Sequence, residues 1–381
     1  MPLGKMVMNS SEHVFLSLLK AGLWEQCVSI LLYGDIDYAK INRLSEEQSV
    51  VGLVSAGIEQ VADIKVPQEW TLQVVGATLQ IEQRNEAMNA FIEALMARLA
   101  LADIDAILVK GQGVAQCYER PLWRACGDID SLLDKDNYIK AHSFLTPLAS
   151  EVEEENKILS HLGMKIGQWE VELHGTLHSR LWKDVDKLVD EVQDDVFDNS
   201  HTRVWKNGEI SVKLPSVNND VIFIFVHLLQ HFFRGGIGLR QVCDLIRLLW
   251  TYRTELDVEL LNDRLKQAGL MSEWQAFAAL AVDSLGMPEK AMPFYSPEQK
   301  WSRKAERIIA FILETGNFGH NRDNSYYSKY SYVVRKAISL WRYTSDALKQ
   351  FFIFPMDSMK VWRGRVVYGL RAVVKRTYGF D

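Results

Sequence analysis

The spacing of apolar residues divides the chain into a helical beginning, a middle with strand-like patterns and a helical end. In the first hundred residues, apolar side chains recur at helical spacing over residues 13–32 and 70–101, which predicts amphipathic helices. Ser10 or Ser11 is a candidate N-cap for the first helix. We therefore expect residues 1–100 to form an N-terminal helical region.

The middle of the chain carries the patterns of strands and turns. Residues 104–109 form a short apolar run, which predicts a buried strand. Residues 127–133 alternate acidic and apolar side chains with the period of two that is typical of a strand. The other elements predicted here are a helix over residues 136–148, strands near 164–166 and 170–173, and a hairpin over 202–214 with an Asn207-Gly208 turn. This order predicts an α+β core with a small mixed sheet at residues 101–215.

From residue 216 to residue 381 the periodicity is helical again. Residues 218–252 have the pattern of one long helical region, with Gly235-Gly236 as a candidate break. The further elements predicted are helices over residues 256–269, 271–285 and 302–314 and a turn at 316–319. We therefore expect the mixed-sheet core to be flanked by an N-terminal and a C-terminal helical region.

The composition is that of an ordinary folded protein. The 381 residues are 48% hydrophobic and 24% charged, whereas disordered chains have lower hydrophobicity and larger net charge. The formal net charge of −6 argues against long nucleic acid as the main ligand. The four cysteines lie far apart without a CxxC pair, which argues against a cysteine zinc site and a disulfide framework.

The cysteines and the terminal segment together predict a cytoplasmic location. Scattered cysteines fit a reducing compartment. The N-terminal segment lacks the apolar centre of a secretory signal. The most apolar run, residues 221–233, contains two histidines and a glutamine and is shorter than the ~20 apolar residues that a bilayer-spanning helix needs.

Asp128 and Asp130 lie two positions apart on a predicted strand, so both carboxylates point to the same face. Glu172, between Val171 and Leu173, has the same arrangement on another predicted strand. Carboxylates held close together repel each other, and a divalent cation with a preference for oxygen ligands, Mg²⁺ or Mn²⁺, relieves the repulsion. If the two strands are neighbours, the three acids converge on one metal site. Taken alone, an Asp-x-Asp pair or a single Glu on a strand is more often part of a solvated face, and the combination with the glycine turn upstream is what favours a metal site.

A glycine turn precedes the acidic strand. Lys110-Gly111-Gln112-Gly113 stands where a predicted strand passes into a helix, and glycine allows a sharp turn and a close approach to a ligand. Exposed N–H groups at such a turn favour an anion such as a triphosphate. Lys110 and Arg124 could add positive charge for the phosphates. A purely structural turn with two surface cations is the alternative interpretation.

The residues around these acids resemble a known family. The stretch from Ile107 to Ala115, then Tyr118, Pro121 and Arg124, then residues 127–133 and Val171-Glu172-Leu173-His174, is similar to the uncharacterised bacterial nucleotidyltransferase family of the DNA polymerase β superfamily. A later stretch, from His227 to Leu245, resembles a helical segment of the same family. The matches cover roughly residues 100–250.

The resemblance implies roles for particular residues. Asp128, Asp130 and Glu172 would be the catalytic and metal-binding acids, and Lys110, Gly111, Gly113 and Arg124 would bind the nucleotide. The chain departs from the family pattern in having Gly-Gln-Gly in the turn, a longer distance from the turn to Asp128, and Ser131 where many relatives have an apolar residue.

Several histidines and charged residues carry competing interpretations. His227 and His231 are four residues apart on a helix, a spacing that can bind zinc, but no further ligand is evident and helix packing with hydrogen bonds is the favoured interpretation. Arg240 and Asp244 have the spacing of a structural ion pair within a helix. His174 and His178 follow Glu172 closely and could contact a substrate.

The tail after Lys329 interleaves basic and aromatic residues. Its basic residues are Arg335, Lys336, Arg342, Lys349, Lys360, Arg363, Arg365, Arg371, Lys375 and Arg376. A basic amphipathic helix with aromatic residues can contact an anionic membrane surface or an acidic partner, or pack on its own protein.

These observations predict a metal-dependent nucleotidyltransferase that uses an NTP, with ATP as the leading choice, and an unidentified acceptor. Two other classes stay open at this point. One is a non-catalytic nucleotide-binding or interaction module that retains the fold, and the other is a helical scaffold whose α/β core is only structural.

Overall fold

A computed structural model gives the structure of residues 9–198, 200–234, 236–317 and 331–378. The helices are α1 (Ser10–Trp24), α2 (Tyr38–Glu47), α3 (Val51–Glu59), α4 (Gln68–Leu101), α5 (Gly111–Ala115), α6 (Lys135–Leu145), α7 (Lys183–Asp198), α8 (Val217–Arg234), α9 (Leu239–Thr251), α10 (Val258–Gln267), α11 (Met271–Ala279), α12 (Gln299–Thr315), α13 (Tyr332–Phe351) and α14 (Pro355–Tyr378). The strands are β1 (Ile107–Val109), β2 (Asp128–Leu132), β3 (Glu151–Val152), β4 (His161–Ile166), β5 (Trp169–His174), β6 (Thr202–Asn207) and β7 (Ile210–Pro215). The protein is a mixed α+β fold with helices on both sides of a small sheet in the sequence, as predicted.

The first helix is shorter than its apolar pattern predicts. Its N-cap is Asn9, which accepts a hydrogen bond from the Glu12 backbone N–H at 3.1 Å while its own N–H donates to the Glu12 carboxylate. This reciprocal capping box begins the helix one residue before the predicted caps. The helix ends at Trp24 because Glu25 adopts a left-handed conformation, with φ of 48°. The second predicted helix is confirmed as α4.

The main sheet has the strand order β1-β2-β5-β4-β3. β2 pairs in parallel with β5, and the other neighbours are antiparallel. The register places Asp130 opposite Glu172 on β5, and Val109 of β1 opposite Asp130 on the other side. Two strands that are separated by about forty residues of chain therefore lie side by side at the acids.

The predicted hairpin forms a separate two-stranded sheet of β6 and β7. Its turn residues are Gly208 and Glu209, not Asn207 and Gly208 as predicted, because Asn207 pairs with Ile210. Gly208 has φ of 57°, whereas Glu209 has no positive φ, which matches a type II′ turn.

The two faces of the main sheet have different neighbours. One face, with Leu108, Ile129 and Val171, packs in a hydrophobic cluster with Met88 of α4 and Leu145 of α6. On the opposite face, Ile107 and Val109 of β1 and Leu132 of β2 join a larger hydrophobic cluster. This cluster includes many side chains of α1, α3, α8, α9, α11 and α12. The acids of β2 and β5 lie on this second face and are directed toward the C-terminal helices.

The C-terminal half is helical, with the predicted break between α8 and α9. α8 ends at Arg234, and α9 begins at Leu239 with Gly238 as its N-cap. The turn predicted at 316–319 begins with Gly316 at the end of α12, and its residues 318 and 319 lie outside the described residues. Within the described residues, no helix is both long enough and apolar enough to cross a membrane.

Candidate functional site

Three carboxylates converge on the second face of the main sheet. Asp128 and Asp130 alternate with the buried Ile129 on β2, and the parallel register sets Glu172 of β5 directly beside Asp130. One oxygen from each of the three acids lies within 4.8 Å of the others. Asp130 is almost completely buried, at 3% exposure. The two acidic strands are therefore neighbours in the sheet, which is the condition on which the predicted convergence of the three acids depended.

The charges of these acids act on one another. The charge of Asp130, together with burial and the charge of Glu172, raises the pKa of Asp128. Burial is the largest influence on Asp130 and opposes its ionisation, but the charge of Lys110 and the hydrogen bond and charge of His174 together lower the pKa of that carboxyl group. The Lys110 ammonium lies 3.0 Å from Asp130 Oδ1. Oxygen donors that repel one another in this way fit a hard divalent cation such as Mg²⁺ or Mn²⁺.

Two histidines border the acids. His174 Nε2 lies 2.7 Å from Asp130 Oδ1 and 3.3 Å from Glu172 Oε2, and His161 Nε2 lies 3.2 Å from the same Glu172 oxygen. Although burial opposes it, these hydrogen bonds lower the pKa of Glu172. His174, for which the sequence left a substrate contact open, lies at the acids, whereas His161 was not singled out by the sequence.

The glycine turn carries backbone strain at the edge of the site. Lys110 has φ of 58° and Gly111 has φ of 41°, a region that residues other than glycine rarely adopt. A Cβ on Gly111 would lie 3.3 Å from the sulfur of Cys126. Gly113 faces the hairpin and not the cleft. A Cβ on Gly113 would lie only 2.8 Å from a side-chain carbon of Leu214. Lys110 and Gly111 line the cleft, and Gly113 packs against the hairpin.

Gln112, the departure from the family pattern, is buried and anchors the turn to α4. Its amide donates to Asn85 Oδ1 at 2.8 Å. The Asn85 amide in turn donates to the backbone oxygens of Leu122 and Arg124 at 2.7 and 2.8 Å. One side chain of α4 therefore joins the glycine turn to the loop that leads into β2.

Arg124 is buried at the back of the cleft in a two-point ion pair. Its Nε and Nη2 lie 2.9 and 2.7 Å from the two carboxylate oxygens of Asp244. Tyr118 also donates to Asp244, at 2.7 Å. The predicted pairing of Arg240 with Asp244 was therefore wrong, since a partner distant in sequence holds this carboxylate.

Arg240 projects into the cleft from α9. Its Nη1 donates to the backbone oxygen of Ala125 at 3.1 Å. Its buried Nε has no hydrogen-bond partner within the described part of the chain. A guanidinium with an unused donor beside three acids is suited to an anionic ligand.

The acids, Lys110 and Arg240 line a cleft of about 320 Å³. The wall opposite the sheet is α8, which contributes His227 and His231 with ring centroids 4.4 Å apart. Burial lowers the pKa of His227 well below its usual value and that of His231 to about 4. Both imidazoles are therefore neutral near pH 7. His178 also lines the cleft, and its Nε2 is held by Asp190.

Some residues of the site gave little signal in the sequence. Asn85 lies among polar residues of the long helix α4. The sequence alone does not distinguish a buried asparagine there from a solvent-exposed one. His161 stands on a strand edge, and only its pairing opposite His174 brings it to Glu172. Arg240 was noted only as a helical ion-pair partner, because its contacts depend on how α9 packs against the β2 loop.

Comparison with known proteins identifies the family. No curated protein and no solved structure gave a significant match. The model of a family described as "Uncharacterised nucleotidyltransferase" matches residues 34–286, which is well over half of the chain and includes every acid of the site. The chain therefore belongs to this family of uncharacterised nucleotidyltransferases.

Proposed function

We propose that this protein transfers an NMP group from an NTP to an acceptor hydroxyl or phosphate and releases pyrophosphate in a metal-dependent reaction. The observation that carries the proposal is the convergence of Asp128, Asp130 and Glu172 in one cleft. The cationic side chains of Lys110 and Arg240 line the same cleft. The similarity to the DNA polymerase β superfamily that the sequence suggests agrees with this reaction. The alternative of a non-catalytic module is less favoured because all three acids are present.

Asp128, Asp130 and Glu172 would hold Mg²⁺ or Mn²⁺. A bound divalent ion would neutralise negative charge on the phosphates and orient them for in-line displacement. The sheet holds the three carboxylates in position before any ligand binds, so little reorganisation is needed on binding. Lys110 balances part of their negative charge through its contact with Asp130.

The triphosphate would lie between the glycine turn and α9. We assign Lys110 and Gly111 to this role, as the sequence predicted, and add Arg240 because of its unused Nε donor. Gly113 and Arg124 would act indirectly. Gly113 would let the turn pack closely on Leu214, and Arg124 would hold the wall of the cleft through Asp244.

The acceptor would bind between the acids and α8. A cleft of about 320 Å³ is at the lower end of the range typical of small-molecule sites, which favours a small acceptor over a nucleic-acid end. Neutral His227 can accept or donate a hydrogen bond to it. ATP is the proposed donor, and the cytoplasm, where ATP and Mg²⁺ are abundant, is the proposed location.

The first test is transfer of α-labelled NTP in the presence of Mg²⁺ and a cell extract. Asp128→Asn should abolish labelling of the product, because it removes one ionised metal ligand while preserving shape. Asp136→Asn, an exposed acid on α6, is the matched control and should label normally. Mg²⁺-dependent NTP binding without transfer by the unaltered protein would favour the non-catalytic module instead.

A further inference from the structure

Beside the three carboxylates stands a second cluster of side chains with different donor atoms. His161 and His174 are direct partners on the antiparallel strands β4 and β5, and their rings are 4.8 Å apart. Glu172 lies two residues before His174 on the same face of the sheet. Two imidazole nitrogens and a carboxylate oxygen of this cluster lie within 4.8 Å of one another.

Two of the three distances between these atoms match those of a tetrahedral metal site. The two Nε2 atoms approach the same Glu172 oxygen, at 3.2 Å for His161 and 3.3 Å for His174. Ligands about 2.0–2.1 Å from a tetrahedral zinc ion are about 3.3 Å from one another, so these two edges already have the required length. The third edge joins the two imidazoles, whose ligand nitrogens lie within 4.8 Å of each other.

The donor set differs in kind from the acids next to it. Carboxylates alone suit Mg²⁺ or Mn²⁺, whereas two imidazoles and a carboxylate suit zinc and similar transition-metal ions. Two histidines and one acid are also the protein ligands of several zinc sites that keep a position open for water or substrate. His161 is about one-third exposed toward the cleft, so such an ion would be accessible from it.

We infer that His161, His174 and Glu172 form a second metal site, selective for zinc or a similar transition-metal ion, that shares Glu172 with the carboxylate site. This inference rests on the proposed function only in one respect, the assignment of Glu172 to the Mg²⁺ or Mn²⁺ site. An ion here would add a Lewis acid at the acceptor side of the cleft.

The test is direct metal binding by the full-length protein, stripped of metal and titrated with Zn²⁺ in a calorimeter and with Co²⁺ in a spectrophotometer. The unaltered protein should bind Zn²⁺ and give the visible bands of low-coordinate Co²⁺. His161→Gln can still donate a hydrogen bond to Glu172 but is a poor zinc ligand. It should weaken Zn²⁺ binding by at least about tenfold, remove the cobalt bands and leave Mg²⁺ binding unchanged.

Two further variants separate this inference from the proposed function. His178→Ala removes another cleft imidazole, which Asp190 holds, and should bind Co²⁺ normally. Asp128→Asn should lose nucleotide transfer but retain the cobalt bands. The inference is overturned if the unaltered protein gives no such bands, or if Asp128→Asn removes them and His161→Gln does not. Nucleotide transfer that depends on Asp128 would survive either result.

Discussion

At the scale of single residues, Glu273 of α11 is a carboxyl group with no solvent exposure. Burial, followed by the negative charge of nearby Asp357 on α14, raises its pKa well above the usual value, although Lys304 acts in the opposite direction. The folded protein therefore holds a proton on this group at pH values where the unfolded chain has released it. Its stabilising contribution is complete at low pH, below the unfolded pKa, and is lost as pH rises toward the folded pKa.

Glu273→Gln should consequently stabilise the protein more at pH 8 than at pH 5. A neutral amide has the same shape, needs no proton and can donate to Asp357. We expect a gain of about 1–3 kcal/mol at pH 8, the cost typical of a poorly satisfied buried polar group. Thermal unfolding at both pH values measures it, with the exposed Glu306→Gln of α12 as control. An equal effect at the two pH values would contradict this account of Glu273.

At the scale of elements, α4 positions the site although it lines none of the cleft. Asn85 joins it to the glycine turn through Gln112 and to the loop before β2 through two backbone oxygens. The glycine turn with Lys110 and Gly111, and the loop that leads to Asp128, are therefore fixed to one helix. A buried side chain that makes several hydrogen bonds at once is costly to remove, because each former partner remains buried.

Asn85→Ala should therefore lower the free energy of unfolding by about 2–4 kcal/mol, since it removes two buried hydrogen bonds and one partly buried hydrogen bond. Urea denaturation measures the loss. Gln83→Ala changes an exposed side chain of the same helix and should have an effect within about 0.5 kcal/mol of zero. If the two variants proved equally stable, the network would not hold the loop in the way described.

At the scale of the whole molecule, charge is distributed unevenly. The chain has a net charge of −6, yet residues 331–381 contain ten Lys and Arg and three Asp. Part of this tail packs on the body, since Phe354 is buried against Phe232 of α8. Other apolar side chains of the tail are exposed, among them Trp341 at 71% and Met356 at 68%. Packing on the protein and contact with an anionic surface are therefore compatible, and the latter stays a prediction.

The expected result is binding to vesicles that contain anionic lipid, weakening with salt, and little binding to neutral vesicles. Trp341→Glu should reduce this binding by about tenfold, because insertion of one large apolar side chain is lost. Leu101→Glu alters an apolar residue at the end of α4 that is even more exposed than Trp341, and this variant should bind as before. Cosedimentation measures both. Binding that ignores lipid charge, or that Leu101→Glu weakens as much, would exclude this role for the tail.

The sequence by itself determined the order of helices and strands and the three acids of the candidate site. The period-two pattern around Ile129 and the helical spacing of α4 depend on side chains close together in the chain, so they predict a strand and a helix without knowledge of the fold. The similarity of residues 107–133 to a family then pointed to Asp128 and Asp130 as a pair. The division into regions 1–100, 101–215 and 216–381 stays a prediction, although the larger core includes side chains from all three.

Only the tertiary structure decided which distant residues meet. The parallel pairing of β2 with β5 brings Glu172 to Asp130, and the pairing of β4 with β5 brings His161 to His174. The packing of α9 brings Asp244 into an ion pair with Arg124 and places Arg240 in the cleft. These contacts join segments that are many residues apart, and their energy depends on strand register and on the packing of buried side chains, neither of which is written in a local pattern.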